Sequence, residues 1–414
     1  MTAIKSYPQY QDASIPWLHA VPDHWDVLPL FSIASEIKVK NTGMKETNLL
    51  SLSYGRIIQK DINSNEGLLP ESFETYQIVD SGDMVFRMTD LQNDQRSLRS
   101  ALVQERGIIT SAYIAVRPDR ISPQFFDYLM RAYDVQKVFY AMGGGLRQSL
   151  RFEDMRRIPL VIPSSFEQEV IVDFLDRETT RIDTLITKKT RFIELLKQKR
   201  QAVITKAVTK GLDDSVEMKN SGVEWLGEVP KNWSVKRLKY LCDVKTGGRD
   251  TVHAVDNGAY PFFVRSQTVE AINTYSADCE AILTAGDGAG VGKIYHYIQG
   301  RFDFHQRVYM LNSFRHIKGR FLFFYLSSLF AAVALDGGAK STVDSLRMPV
   351  FMNFQVTFPA GEEQLRVVSF IEDQTCRLDG LVEKTQHSID LLKERRAALI
   401  TDAVTGQIDV REAA

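Results

Sequence analysis

Residues 163–213 read PSSFEQEVIVDFLDRETTRIDTLITKKTRFIELLKQKRQAVITKAVTKGLD, and residues 359–409 read PAGEEQLRVVSFIEDQTCRLDGLVEKTQHSIDLLKERRAALITDAVTGQID. They align without a gap at an offset of 196, with about 22 identities in 51 positions. Glu167-Gln168 falls on Glu363-Gln364, and Arg181-Ile182-Asp183 on Arg377-Leu378-Asp379. A repeat of this length fixes the architecture before any local reading does. An echo at the start of each half supports it: Trp17, Leu18, Val21, Pro22 and Trp25 match Trp225, Leu226, Val229, Pro230 and Trp233 at an offset of 208. The offsets differ by about 12, so the first half carries that many extra residues between its shared ends. The stretches in between have diverged almost completely, which describes one scaffold carrying two different surfaces.

The closing segments read as helices. Residues 166–178 form one amphipathic pattern. Ile182, Leu185, Ile186, Ile193, Leu196 and Val203 then recur at three- and four-residue spacing over residues 181–207, a helix of about 40 Å. The second half repeats this with Leu378, Leu381, Val382, Ile389, Leu392 and Leu399. Neither stripe is wide enough for a helix buried all round, so each needs a partner of similar length. The simplest solution is an antiparallel coiled coil relating the halves by a pseudo-twofold axis; the alternative is that each helix packs only on its own domain.

The middles read as α+β. Strand-like runs at residues 77–88, 108–116 and 307–311 are separated by Gly, Asn and Asp turns, and helices at 123–141 and 319–335 close the two middles. The expected organisation is therefore an α+β domain at 1–163, a helical segment at 164–214, a second α+β domain at 215–359 and a second helical segment at 360–414. The apolar run at 321–335 is too short to cross about 30 Å of hydrocarbon, and its counterpart at 123–141 carries Asp127, Arg131, Asp134 and Lys137, so a membrane span is not expected.

Composition narrows the function. The 414 residues are 44% hydrophobic and 25% charged, which excludes wholesale disorder. With 51 Lys+Arg against 52 Asp+Glu, the chain does not bind nucleic acid through bulk charge, so any such binding comes from local patches. Three cysteines, Cys242, Cys279 and Cys376, support neither a disulfide framework nor a zinc ribbon, and no apolar signal opens the sequence. A reducing cytoplasm is the expected location.

Catalytic motifs fail individually. In Gly286-Asp-Gly-Ala-Gly-Val-Gly-Lys293, Asp287 and Ile294 occupy places where a phosphate loop needs Gly and Ser or Thr, and Val291 breaks the dinucleotide fingerprint. A glycine-rich hairpin approaching DNA phosphate, with Lys293 adding charge, fits better. The chain has no Pro-Pro pair for an amino-methyltransferase motif, and Glu217-Met-Lys219 lies in a polar linker without a strand to organise metal ligands. The two tryptophans at each opening are read as a packing clasp rather than a stacking platform.

What remains is a set of basic and amide side chains in the divergent middles: Arg87, Arg96, Arg99, Arg147 and Gln148 in the first, and Lys245, Arg249, Lys293, His305, Gln306, Arg307 and Lys340 in the second. Arg reads guanine, Gln and Asn read adenine, and glycine lets the backbone reach phosphate. Ordinary solvated surface is the alternative for any one of them. The glycine-then-basic pattern in both halves favours binding, although residues 223–359 hold only 15 basic against 12 acidic side chains.

Two copies of Trp-Leu-x-x-Val-Pro-x-x-Trp, each leading into a divergent domain, then Pro-x-x-x-Glu-Gln and a long Arg-Ile/Leu-Asp helix, resemble the specificity subunits of type I restriction–modification enzymes. The resemblance covers essentially the whole chain. It implies a non-catalytic subunit with two target-recognition domains that read the halves of a bipartite, asymmetric double-stranded DNA site. The paired helices would set the gap and dock two methyltransferase subunits, with motor-nuclease subunits joining them. No cofactor is expected in this chain; S-adenosylmethionine, and ATP with Mg2+, would serve the partners. A coiled-coil adaptor without sequence readout, and a stand-alone nuclease or methyltransferase, are the alternatives.

Overall fold

The computed structural model describes residues 5–62, 72–94, 97–142, 149–334 and 346–412, which form two compact units. Unit 1 comprises Met1–Lys189 with His387–Ala414, and unit 2 comprises Thr190–Gln386.

In unit 1, β1 (Tyr10–Ile15) and β2 (Leu18–Pro22) form a hairpin, followed by β3 (Asp26–Pro29), β4 (Ala34–Ile37), β5 (Leu49–Ser53) and β6 (Arg56–Lys60). Then come β7 (Gln77–Val79), β8 (Met84–Phe86), β9 (Ser100–Leu102), β10 (Gly107–Ile109) and β11 (Ile114–Pro118). Two four-stranded sheets result, in the orders β6-β5-β10-β7 and β4-β11-β8-β9. The strand-like run at 77–88 is two strands: β7 gives way to β8 through Gly82 at φ +92°, a backbone state that favours glycine.

Helix α1 (Pro123–Val135) starts where Ser122 caps the Phe125 amide and Pro123 occupies the first turn, where its missing N–H costs nothing. The single helix expected over 123–141 is instead two. Lys137 takes φ +62°, and α2 (Val138–Met142) begins after it. Next come α3 (Phe152–Met155) and β12 (Pro159–Ile162), which pairs antiparallel with β3.

The closing helix of the first half, α4 (Ser165–Lys210), runs unbroken for 46 residues, about 69 Å. This corrects the expectation of two helices meeting near residue 180. Thr179 is accommodated inside the helix, its hydroxyl donating to the Leu175 carbonyl at 2.6 Å, one turn back.

Unit 2 opens with the hairpin β13 (Met218–Asn220) and β14 (Glu228–Pro230), then β15 (Ser234–Arg237) and β16 (Asp243–Thr246). β17 (Tyr260–Phe263), β18 (Glu270–Ile272), β19 (Ala277–Ala285), β20 (Tyr295–Phe304) and β21 (Val308–Asn312) follow. They build one six-stranded sheet, β16-β21-β19-β20-β17-β18. α5 (Gly319–Ala334) and α6 (Met348–Met352) precede β22 (Gln355–Phe358), which pairs with β15 as β12 pairs with β3, and α7 (Gly361–Val404) closes the repeat. The apolar run in α5 is core: Phe321, Leu322, Phe324, Tyr325, Leu326 and Phe330 are all buried. Among the described residues no helix is long and apolar enough to cross a membrane.

Each unit takes its core from both long helices. In unit 1, Trp25, Phe86, Phe126 and Tyr133 pack with Ile171 and Leu175 from the start of α4 and with Ile400, Ala403 and Val404 from the end of α7. In unit 2, Trp233, Phe321 and Tyr325 pack with Val367 and Ile371 from the start of α7 and with Ile204, Ala207 and Val208 from the end of α4. Within each unit the two segments run antiparallel, tied by Arg396 to Asp183 (3.0 Å) in unit 1 and by Arg200 to Asp379 (2.9 Å) in unit 2, residues that correspond under the 196-residue offset. The Trp clasp is present as well: Trp25 and Trp233 are each 1% exposed, against the left-handed Gly406 and Gly211 that end the helices. In unit 1 the chain ends meet, the Asp409 amide donating to the Lys5 carbonyl at 2.7 Å.

Candidate nucleic-acid interface

The repeated Glu-Gln pair fixes where each globular module sits on its long helix. Gln168 is buried; its Nε2 donates to the Pro163 carbonyl at 2.9 Å, and its Oε1 accepts from the Ser122 amide at 2.8 Å, just ahead of α1. Gln364 does the same in unit 2, donating to Pro359 (2.9 Å) and His316 (3.0 Å) and accepting from the Lys318 amide at 2.7 Å, just ahead of α5. Glu167 accepts from the Tyr7 hydroxyl at 2.7 Å, while Glu363 accepts from Trp233 Nε1 at 2.9 Å. Lys219 donates to the Trp233 carbonyl at 2.7 Å and Glu217 pairs with Lys231, so the Glu-Met-Lys run belongs to the clasp.

Unit 2 gathers much of the expected basic set at one group of loops. Residues 286–294 join β19 to β20, and Lys293 is exposed there. Gly247 lets the chain after β16 lie directly on residues 304–305, since a Cβ on it would fall 2.1 Å from the Phe304 carbonyl oxygen. That approach brings Arg249 beside the wholly buried Asp303, with Nε donating to Oδ2 at 3.2 Å. Asp303 also accepts from Thr274 and Ser276 hydroxyls, so the acceptor that aims Arg249 is itself rigidly held. Gln306 Nε2 donates to Asp250 at 2.8 Å. Arg307 donates to Asp287 at 2.9 Å, and Arg265 reaches the other oxygen of the same carboxylate at 2.8 Å. Burial pushes the Asp287 carboxyl up, but the hydrogen bonds and charges of these two arginines outweigh it and hold it below the usual carboxylate range. Lys245 is exposed on β16.

Two expected contacts lie inside the fold and are corrected here. Arg99 is 0% exposed; its guanidinium donates to the Thr89 (3.1 Å), Asp90 and Asp94 carbonyls and to the Tyr140 hydroxyl. A planar group with five donors suits such a cage, so Arg99 supports the 89–94 loop rather than facing a ligand. His305 is 3% exposed, and its Nδ1 accepts from the Arg307 amide at 3.0 Å. Burial, and then the charge of Arg265, push its pKa below the ordinary value, so a neutral imidazole fixes the backbone that carries Arg307.

Arg87 is part-exposed after β8, its amide paired with the Arg99 carbonyl at 2.8 Å. Arg96, Arg147, Gln148 and Lys340 lie outside the described residues. Sequence reasoning missed Arg265, Asp287 and Asp303, and in unit 1 it missed Arg106 and Arg117, both bonded to Asp80 on the turn before β8. The usable signal is the acid inside the glycine-rich loop, Asp287, which in the sequence reads only as a departure from a phosphate loop. Among the described residues no group of three or more His, Cys, Asp or Glu side chains is arranged to hold a metal ion.

Comparison with known proteins agrees with this frame. A family model, type I restriction modification DNA specificity domain, matches residues 230–389. The Escherichia coli type I restriction enzyme EcoDI specificity subunit is 28% identical over 182 residues, covering 44% of this chain and 40% of that protein. The MjaVIII specificity subunit of Methanocaldococcus jannaschii is 22% identical over 97% of both chains. Among solved structures, a chain from work on complex assembly and conformational transition of the type I R-M system aligns with a TM-score of 0.72 at 17% identity, over 94% of this chain and 99% of that one. The HsdS subunit from Thermoanaerobacter tengcongensis aligns at 0.52 and 16% identity, over 94% and 98%. The fold is therefore shared with these structures, and the chain is similar to the specificity subunits of type I restriction–modification systems along nearly its whole length, with the family-model match confined to residues 230–389.

Proposed function

We propose that this chain is the DNA-reading subunit of a type I restriction–modification assembly, without chemistry of its own, and that its two units read the two halves of a split, asymmetric site. The observation that carries the reading is the contrast between frame and insert. The clasp, the buried glutamine and the antiparallel helix pair recur in both units, while the sheets they hold differ in strand number and order. A duplicated frame with unlike inserts suits two different sequences presented to like partners. In unit 2 the reading surface is the loop group bearing Lys245, Arg249, Lys293, Gln306 and Arg307. In unit 1 it includes Arg87.

The partners follow from the same repeat. Leu185 and Leu391 are exposed in unit 1, and their counterparts Leu381 and Leu195 in unit 2, so an apolar helix surface occurs twice. Two copies of one methyltransferase subunit, using S-adenosylmethionine, would cover it, and motor-nuclease subunits using ATP with Mg2+ would join them. The near-neutral charge of the chain is then tolerable, because partners share the phosphate contacts. The test is co-expression with the methyltransferase encoded beside it, followed by mapping of N6-methyladenine at single-base resolution. A split motif of fixed gap that disappears when this chain is omitted supports the reading. Methylation indifferent to the chain favours an adaptor that binds partners without reading DNA.

A further inference from the structure

Arg265 and Arg307 share one anchor. Each donates a single Nη1 hydrogen to a separate oxygen of Asp287, and no other described residue bonds to either guanidinium. Among the described residues four of the five N–H donors on each group have no partner, and both side chains are exposed, at 39% and 58%. The anchor is firmly placed. Asp287 lies between Gly286, whose Cβ would meet the Arg307 carbonyl oxygen at 3.0 Å, and Gly288 at φ +76°. Two residues on, Gly290 packs so closely that a Cβ would fall 2.9 Å from Ile294 and 3.0 Å from the Arg265 carbonyl oxygen. The glycines thus press the loop onto the segments that carry both arginines. Beside them is a groove of about 320 Å3, lined by Thr251, Val264, Ser266, Glu270 and the loop backbone.

A surface that only attracted phosphate would gain from leaving both arginines free. A carboxylate between them has two opposite effects. It cancels one of two positive charges, which weakens attachment to DNA of any sequence. It also fixes the direction of two forked donors, the geometry that bidentate recognition of the guanine O6 and N7 edge requires.

We propose that Asp287 is a specificity-determining residue of unit 2: it presents Arg265 and Arg307 as a paired reader of guanine edges in the major groove and suppresses binding to other DNA. The proposal rests on the chain being a DNA-recognition subunit. It adds to that reading two residues, Arg265 and Asp287, and a division of labour in which the acid supplies selectivity and the bases supply contact.

The test uses the co-expressed complex of this chain with its methyltransferase, selecting from randomised DNA duplexes at two salt concentrations. The variants are Asp287→Asn, Arg265→Gln and Arg307→Gln, each checked for an unchanged thermal midpoint. Asp287→Asn should bind unselected DNA about five- to tenfold more tightly at low salt, with the salt slope steeper by about 0.9. It should also lose about ten- to a hundredfold of discrimination at one or two guanines of one half-site, leaving the other half-site intact. Either arginine variant should relax the same positions without raising unselected binding, so the inference remains testable if the asparagine variant misfolds. A wild-type complex that selects no sequence sinks the recognition reading itself. A wild-type complex that selects a split site, with all three variants selecting it unchanged, overturns only the role of Asp287. Arginine variants that weaken every sequence equally make these residues phosphate contacts, which also overturns it.

Discussion

Asp134 is a carboxyl group in the core of unit 1, 2% exposed, accepting from the Arg99 amide while its other oxygen has no partner among the described residues. Burial raises its pKa from 3.8 to about 6, the Arg99 amide and nearby cations opposing. An acid whose pKa rises on folding favours the fold while protonated. Stability from this group is therefore greatest below about pH 4 and falls by about 3 kcal/mol as pH rises through about 6. Asp134→Asn, uncharged throughout, should gain on the wild type by up to that amount between these pH values in urea unfolding, and a pH-independent difference would contradict the assignment. The same neighbourhood shows what sequence conveys poorly. Arg87 and Arg99 are indistinguishable as letters in a polar stretch, yet one is part-exposed and the other sealed. The fate of Arg99 is set by Tyr140 and Asp134, 41 and 35 positions away, and by the loop carbonyls it gathers. Asp287 was equally opaque, because its meaning depends on Arg265 and Arg307, brought to it by two other segments.

At the scale of elements the sequence was far more legible. The openings and closings repeat because they make the same contacts twice: Trp25 and Trp233 over the helix ends, Gln168 and Gln364 ahead of α1 and α5. Helix periodicity identified Ile182, Ile193, Leu378 and Ile389 as buried positions, but it also included Leu185 and Leu381, which are exposed. A stripe cannot distinguish a face covered within the chain from one left for a partner. Gln168→Ala should cost about 2 to 3 kcal/mol, since it removes two hydrogen bonds and leaves a buried amide and carbonyl unsatisfied. Gln168→Glu should recover only part of this, because it keeps the acceptor and loses the donor; full recovery in thermal unfolding would deny Gln168 its bridging role. A heptad added to α4 between Asp183 and Arg200, with another added to α7 between Asp379 and Arg396, preserves both ion pairs and lengthens each helix by about 10 Å. The mapped methylation motif should then keep its bases and widen its gap by about three base pairs, whereas altered half-sites would argue against a spacer.

For the whole molecule, the account holds that two modules on one repeated frame read DNA independently. The frame was legible because it is written twice; the reading surfaces were not, because the middles share too little to be checked against each other and recognition depends on side-chain geometry. Independence has a direct consequence. Replacing residues 15–163 with the corresponding segment of a relative that has a different motif exchanges the insert of unit 1 together with its clasp and leaves unit 2 and the whole of both long helices untouched. The decisive measurement is the N6-methyladenine motif written by the resulting complex. The account predicts one new half-site, one unchanged half-site and an unchanged gap. A motif altered in both halves, or altered in neither, would contradict it.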